Sequence, residues 1–380
     1  MELTQAARDM LYLMGAALRA EQVSEDRLTS MDLQATLSLA LDHGVGSLCF
    51  FPLEACSFSD QDLYARWKEH REIAIRRTML FGAECKIVRS KLEEAGIWNT
   101  LLKGGIVNEL YPRIGMREMV DNDLLIDENF IDAADTIMVG LGYTLKEYRE
   151  RGIDDEFRKP PIFSFELHRQ LYSKKETKLA PFFADVFERL VSEDSSHPLL
   201  LAMTNEDVYL HVVSHAYKHY SERGTGVRIL ADLDVLLKAY AQLDWSYIQA
   251  GLEAMDIADF DVALRAITAK ALSEHFSPED LSAHELNILE TLINDGFYGS
   301  YENRVSRLFA EADKKGWGKL RYLASRAFPA TTWYEENAPF AYKHIWARPF
   351  ALLAWYGRII TSPIERAKIK TELSMLRKKR

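Results

Sequence analysis

The chain has 380 residues, of which 48% are hydrophobic and 27% charged, and its formal net charge is −10. That balance describes a soluble globular protein of two or three domains with ample capacity for hydrophobic cores. It argues against a wholly basic nucleic-acid-binding surface, though a local basic groove stays open.

The three cysteines, Cys49, Cys56 and Cys85, are sparse and odd in number. Their spacing matches neither a zinc site nor a disulfide framework, so a reducing cytoplasm is the expected home. The start, "MELTQAARDMLYLMGAALRAEQ", carries acids early and does not read as a signal peptide. The apolar stretch "PFALLAWYGRIITSP" is broken by Arg358 and is too short to span a bilayer.

In chain order, residues 1–95 read as helices. "TQAARDMLYLMGAALRA" and "SMDLQATLSLALDHG" space their apolar residues at three to four, with Thr4 and Ser30 as caps and Gly44 as a stop. "RRTMLFGAECKIVRSKLEEAG" predicts a long amphipathic helix ending at Gly96. The pattern then changes. "IWNTLLKGG" predicts a strand and a turn, "IVNELYPRIG" a turn or two of helix, and "VDNDLLI" a second strand. "DENFIDAADTIMVGLG" reads as a helix, and "YTLKEYRE" and "PPIFSFELHRQLY" as further strands. Residues 96–175 therefore form a small mixed α/β unit. From about residue 180 helix returns and fills a C-terminal region, 176–380. It includes "TNEDVYLHVVSHAYKHYSE" capped by Thr204, "VRILADLDVLLKAYAQ" and "NRVSRLFAEADKKG". The expected class is α+β.

The chemistry concentrates in "LLKGGIVNELYPRIGMREMVDNDLLID". Residues i and i+2 of a strand point to one face, so Asp121 and Asp123 leave the sheet together. Like charges so close repel unless a cation intervenes, and Mg²⁺ takes one or two carboxylates with water and phosphate oxygens. The bland alternative is a strand end that reaches solvent. Gly104 and Gly105 sit just before a helical run, where backbone N–H groups can face phosphate. In "IFSFELHR", alternation puts Glu166 and His168 on one face, and an acid in an apolar strand is costly without a partner. If that strand lies beside the first, three carboxylates converge.

The order "LLKGG", "DNDLLI" and "FELH" resembles the polymerase-beta-like nucleotidyltransferase superfamily. Over residues 75–172 it is similar to an uncharacterised bacterial nucleotidyltransferase family within it. The resemblance implies an Mg²⁺-dependent transfer of a nucleoside monophosphate from an NTP, Mn²⁺ being the substitute ion. Asp121, Asp123 and Glu166 would be catalytic and would hold the metal. Lys103, Gly104, Gly105 and Arg117 would bind the nucleotide. Many members have glycine-serine where this chain has glycine-glycine, and aspartate is more frequent at position 166. Arg117 has a second reading, a salt bridge to Asp121 or Glu118, and Lys103 a second reading as a solvated strand end.

His211, His215 and His219 recur every fourth residue and line one helical face. They read as a helix interface, or as one wall of an acceptor cleft with His168, His215 and Lys218. Asp232 and Asp234 form a second D-x-D, but in a helix they diverge by about 200° and cannot share a metal. The aromatic stretch 331–357 reads as core and interface, and the basic tail 366–380 as a solvated helix end. The acceptor is an unknown small molecule or macromolecule, nucleic acid among them. Two other readings stand beside the enzyme: an inactive nucleotide-binding or scaffold relative, and a factor that modifies a partner protein.

Overall fold

The computed structural model describes residues 3–147, 153–222, 225–296, 328, 334 and 338–361. The chain divides into two compact units, 1–221 with 225–298, and 222–224 with 299–380.

The larger unit opens with helices α1 (Gln5–Leu18), α2 (Glu25–Thr29), α3 (Leu33–Asp42), α4 (Gly46–Phe50) and α5 (Gln61–Glu94). Thr4 caps α1 by accepting from the Ala7 N–H. Asp32 rather than Ser30 caps α3, because the Ser30 hydroxyl instead donates to the Arg27 carbonyl at the end of α2. Asp60 caps α5, which runs for 34 residues and ends before Gly96 at φ +79°.

The α/β part follows: β1 (Asn99–Leu101), α6 (Lys103–Asn108), β2 (Asn122–Ile126), α7 (Ile131–Gly140), β3 (Thr144–Glu147), β4 (Asp154–Lys159) and β5 (Phe163–His168). Two further strands, β6 (Val191–Asp194) and β7 (His197–Ala202), precede α8 (Asn205–Glu222). The single sheet has the order β3-β4-β5-β2-β1-β7-β6. β2 with β5 and β1 with β7 are parallel, and the other neighbours are antiparallel.

The sequence reading missed β4, β6 and β7. β6 is exposed throughout and β7 lacks alternation, so neither carries a periodic signal. β7 becomes a strand by pairing with β1, about a hundred residues earlier. The sheet thus extends past residue 180, where helix alone was expected.

Leu124, Ile126, Phe165 and Leu167 pack on one side of the sheet with Val88 and Leu92 of α5 and Met138 of α7. Neighbouring residues in a strand point the other way. The opposite face therefore carries Asp123, Leu125, Glu166 and His168. Leu125 joins the larger core, built from α1–α4 together with α8, α9 (Arg228–Ala239), α10 (Trp245–Ala254), α11 (Ala258–Ala271) and α12 (Ala283–Asp295). The N-terminal and C-terminal helices of this unit therefore share one interior.

In the smaller unit, α13 (Pro339–Lys343) and α14 (Arg348–Thr361) are described, with Tyr334, Ala341 and Ala347 buried together. Phe340, Ile345, Trp346, Phe350 and Leu353 are exposed, so this part of the aromatic stretch is less a core than the sequence reading held. The expected helix "NRVSRLFAEADKKG" and the basic tail lie outside the described residues. Among the described residues, no helix is long and apolar enough to cross a membrane.

Candidate active site

β2 and β5 are parallel and in register, with Asp123 opposite Glu166 and Leu125 opposite His168. Register partners in a sheet project to the same side. Asp123 and Glu166 therefore share a face, with His168 one step along.

The His168 Nε2 lies 3.2 Å from Asp123 Oδ1 and 3.4 Å from Glu166 Oε2. On the other side, Lys103 Nζ is 3.5 Å from Asp123 Oδ2. Asp123 and His168 are buried, while the Glu166 side chain keeps 31% of its exposure. Burial alone would raise the Asp123 pKa, but the charges of Lys103 and His168 outweigh it and hold the carboxyl well below its usual range. Burial opposes charge on His168, yet its bonds to Asp123 and Glu166 keep it protonated above its ordinary value. Asp121, expected in the strand with Asp123, lies just before β2 begins at Asn122 and outside the Asp123–Glu166–His168 group, and its carboxyl moves the other way. Burial first, then the charges of Asp123 and Glu166, push it up to about 6.

One ligand atom from each of Asp123, Glu166 and His168 lies within 4.8 Å of the others. Two carboxylates suit a hard divalent cation such as Mg²⁺ or Mn²⁺. The carboxylates of Asp123 and Glu166 fit the expected metal, while His168, expected in the acceptor cleft, lies between them as their cationic partner and could add a donor only on losing its proton. The signal was present: His168 shares the alternation of Glu166.

The glycine turn lies alongside. Leu102 donates its N–H to the Asp123 carbonyl, tying the start of α6 to β2. Lys103 then adopts φ +28°. The first N–H groups of a helix lack intrahelical partners, and Leu102 offers no side-chain cap. The Gly105 N–H is engaged with the Leu102 carbonyl. A Cβ on Gly104 would sit 2.9 Å from Arg117 Nη1.

Arg117 is buried and held by Asp232 of α9, with Nε–Oδ1 at 2.8 Å and Nη2–Oδ2 at 3.2 Å. The Tyr111 hydroxyl donates to the same Asp232 oxygen at 2.8 Å. Burial works against the Arg117 charge, but Asp232 outweighs it and raises its pKa. Of the two readings of Arg117, the salt bridge is present, though its partner is neither Asp121 nor Glu118. Asp232, set aside as a metal ligand, is this partner. Asp234 pairs with Lys238 at 2.7 Å.

The α8 histidines lie near the cluster. Burial and the charge of Lys103 hold His211 and His215 well below their ordinary pKa, hence neutral. His215 Nε2 is 3.1 Å from His219 Nε2. The His211 Nδ1 faces the Tyr172 hydroxyl at 3.5 Å, and that hydroxyl bonds Ser214 at 2.7 Å. Lys218 is paired with Glu176 at 2.9 Å.

The profile of the family described as "Uncharacterised nucleotidyltransferase" matches residues 29–272. Comparison with curated proteins gives no match. Among solved structures, the chain is similar to an antigenic nucleotidyltransferase-like protein from Paracoccidioides brasiliensis. The two are 12% identical, with a TM-score of 0.33, over 52% of this chain and 94% of that one. The family match runs from the N-terminal helices through α11 and contains the whole acid–histidine cluster, so the chain belongs to this family of uncharacterised nucleotidyltransferases.

Proposed function

We propose that this chain transfers a nucleoside monophosphate from an NTP to a hydroxyl-bearing acceptor, with Mg²⁺ or Mn²⁺ held by Asp121, Asp123 and Glu166. The observation that carries the reading is the register of β2 and β5, which gathers acids 43 positions apart onto one face beside Lys103. When bound, the cation would supply the charge that offsets the anionic phosphates.

The chain's own groups do the rest. Lys103 stands in the first turn of α6, where its ammonium can meet a phosphate oxygen as a point charge. Gly104 lets the backbone approach the ligand closely. Arg117, locked by Asp232, acts from behind by fixing that turn. The acceptor oxygen attacks the α-phosphorus, the bond to the bridging oxygen breaks, and pyrophosphate leaves. The hydroxyl proton passes to Glu166, the more exposed carboxylate of the β2–β5 pair. The row of His211 and His215 forms a neutral wall, suited to a polar acceptor.

Calorimetry with each of the four NTPs, with and without Mg²⁺ or Mn²⁺, tests the reading directly. Metal-dependent binding of at least one NTP is expected, and no binding of any overturns it. Labelled NTPs incubated with cell extract would then reveal the acceptor.

A second reading is a nucleotide-binding protein without turnover. It is favoured by the neutralisation of Asp123 by Lys103 and His168 within the chain itself. Nucleotide binding with no labelled acceptor in any extract would support it.

A further inference from the structure

Helix α5 buries Trp67, Ala74, Phe81 and Val88, spaced by seven, in the interior. Beside them runs a second line on the same helix, also spaced by seven: Ile73, Leu80 and Ile87, respectively 48%, 49% and 48% exposed. Successive residues of a helix are turned by about 100°, so this line flanks the buried one and faces solvent. Glu69, Arg76, Ala83 and Ser90 fill the intervening positions at alternating steps of four and three, the pattern of a helix-pairing seam, and Arg66 and Glu94 extend the line itself by seven at either end. Isolated exposed apolar residues need no explanation, but an ordered line of them on a rigid 34-residue helix marks an interaction surface.

We propose that this line is the interface between two copies of the chain, with the α5 helices paired antiparallel about a two-fold axis at Leu80. An isologous interface must be self-complementary: whatever faces residue i in the partner must itself face i. Antiparallel pairing centred on Leu80 meets that condition. Leu80 faces its own counterpart, Ile73 faces Ile87, and the ends bring Glu69 opposite Lys91 and Arg66 opposite Glu94. Both end pairs are of opposite sign, and each occurs twice. A parallel pairing would instead set Glu69 against Glu69 and Lys91 against Lys91. The charge order along α5 thus selects a second copy, and its direction, over an unrelated apolar partner. Lys91 now bonds Glu94 of its own chain at 2.5 Å, and Arg66 bonds Gln34 at 2.8 Å. Both are exposed pairs that can exchange partners at little cost.

None of Ile73, Leu80 and Ile87 belongs to the acid–histidine cluster or bonds to it, and the C-terminal half of α5 packs on the other side of the sheet. Association is therefore testable without reference to catalysis. Sedimentation velocity on the full chain at about 100 μM should show a dimer. Leu80→Glu should give a folded monomer whose thermal midpoint matches that of the wild type diluted to its own monomeric range, because Leu80 is half exposed and supports no interior. Glu69→Lys should weaken the dimer at least about tenfold, and Glu69→Lys with Lys91→Glu should restore it. In a Cys56→Ser background, Leu80→Cys should cross-link to a dimer under mild oxidation. Met79→Cys, more exposed but turned off the seam, should not. A wild-type monomer at that concentration, or a dimer indifferent to Leu80→Glu, would overturn the proposal. Restoration failing in the double charge swap would reject the antiparallel arrangement.

Discussion

Asp123 and Glu166 face each other across two parallel strands and are bridged by a single atom, the Nε2 of His168. The bridge is asymmetric. Asp123 is buried and also held by Lys103, whereas Glu166 reaches toward solvent.

That asymmetry separates the two carboxylates in stability and unites them in activity. Asp123→Asn removes the counter-charge of half-buried Lys103 and one of the two carboxylates at buried His168, and should cost about 3 kcal/mol in urea unfolding. Glu166→Gln, partly solvated, should cost no more than about 1 kcal/mol. Both should lower metal-dependent nucleotide turnover by roughly two orders of magnitude or more. Turnover surviving Asp123→Asn in a folded protein would remove that residue from the mechanism.

The Arg117–Asp232 pair is expected to be structural. Asp232→Asn should destabilise by about 3 kcal/mol, and Arg117→Lys, which cannot reproduce the two parallel bonds, by a similar amount. Tyr111→Phe removes one hydrogen bond and should cost about 1–2 kcal/mol. The neighbouring Asp234→Asn loses only an exposed partner and should change stability by less than about 1 kcal/mol. Equal effects at 232 and 234 would contradict the assignment, and equilibrium denaturation of the four variants decides it.

Gly104 is required by proximity. A methyl group there meets Arg117 Nη1, which cannot swing away because Asp232 holds it. Gly104→Ala should cost about 1–3 kcal/mol and weaken NTP binding. Combining it with Arg117→Ala should give less than the sum of the two losses, measurable as a double-mutant cycle.

His43 predicts an acid sensitivity distant from the carboxylates. Its ring is buried, with Nε2–H donating to the Ile293 carbonyl at 3.1 Å and Nδ1 accepting from the Val227 N–H at 3.3 Å. Only the neutral ring makes both bonds, and burial lowers its pKa to about 4. Unfolded, it titrates near the ordinary value of about 6.5. The unfolded chain therefore takes the proton first, and stability falls as pH drops from about 6.5 to about 4, then levels. The loss due to this residue is about 3 kcal/mol. His43→Gln should be less stable at pH 7 but should decline less over that window. A parallel decline would mean that the ring is not the titrating group.

Much of the candidate site is legible in the sequence. Asp121-x-Asp123 at the head of an apolar strand, the glycine pair that opens α6 and Glu166 in an alternating run each announce themselves by violating a local pattern. What periodicity conveys is which face a residue takes on its own element. It does not convey which element lies alongside. That is why Arg117 had two plausible acidic neighbours in sequence and a third in space, and why Asp232 read as a decoy. β7 was invisible for the same reason, since "HPLLLA" becomes a strand only when β1 offers it an edge.

By itself, the sequence determined the helical flanks, the first part of the α/β centre and which acids are candidates. These follow from propensity, capping and alternation, which act over a few residues. The tertiary structure alone decided that Asp123 meets Glu166 in register, that His168 and Lys103 neutralise the pair, and that α9 supplies the partner of Arg117. Pairing between distant segments is settled by which buried faces and charges can be satisfied together. That is a property of the packed whole.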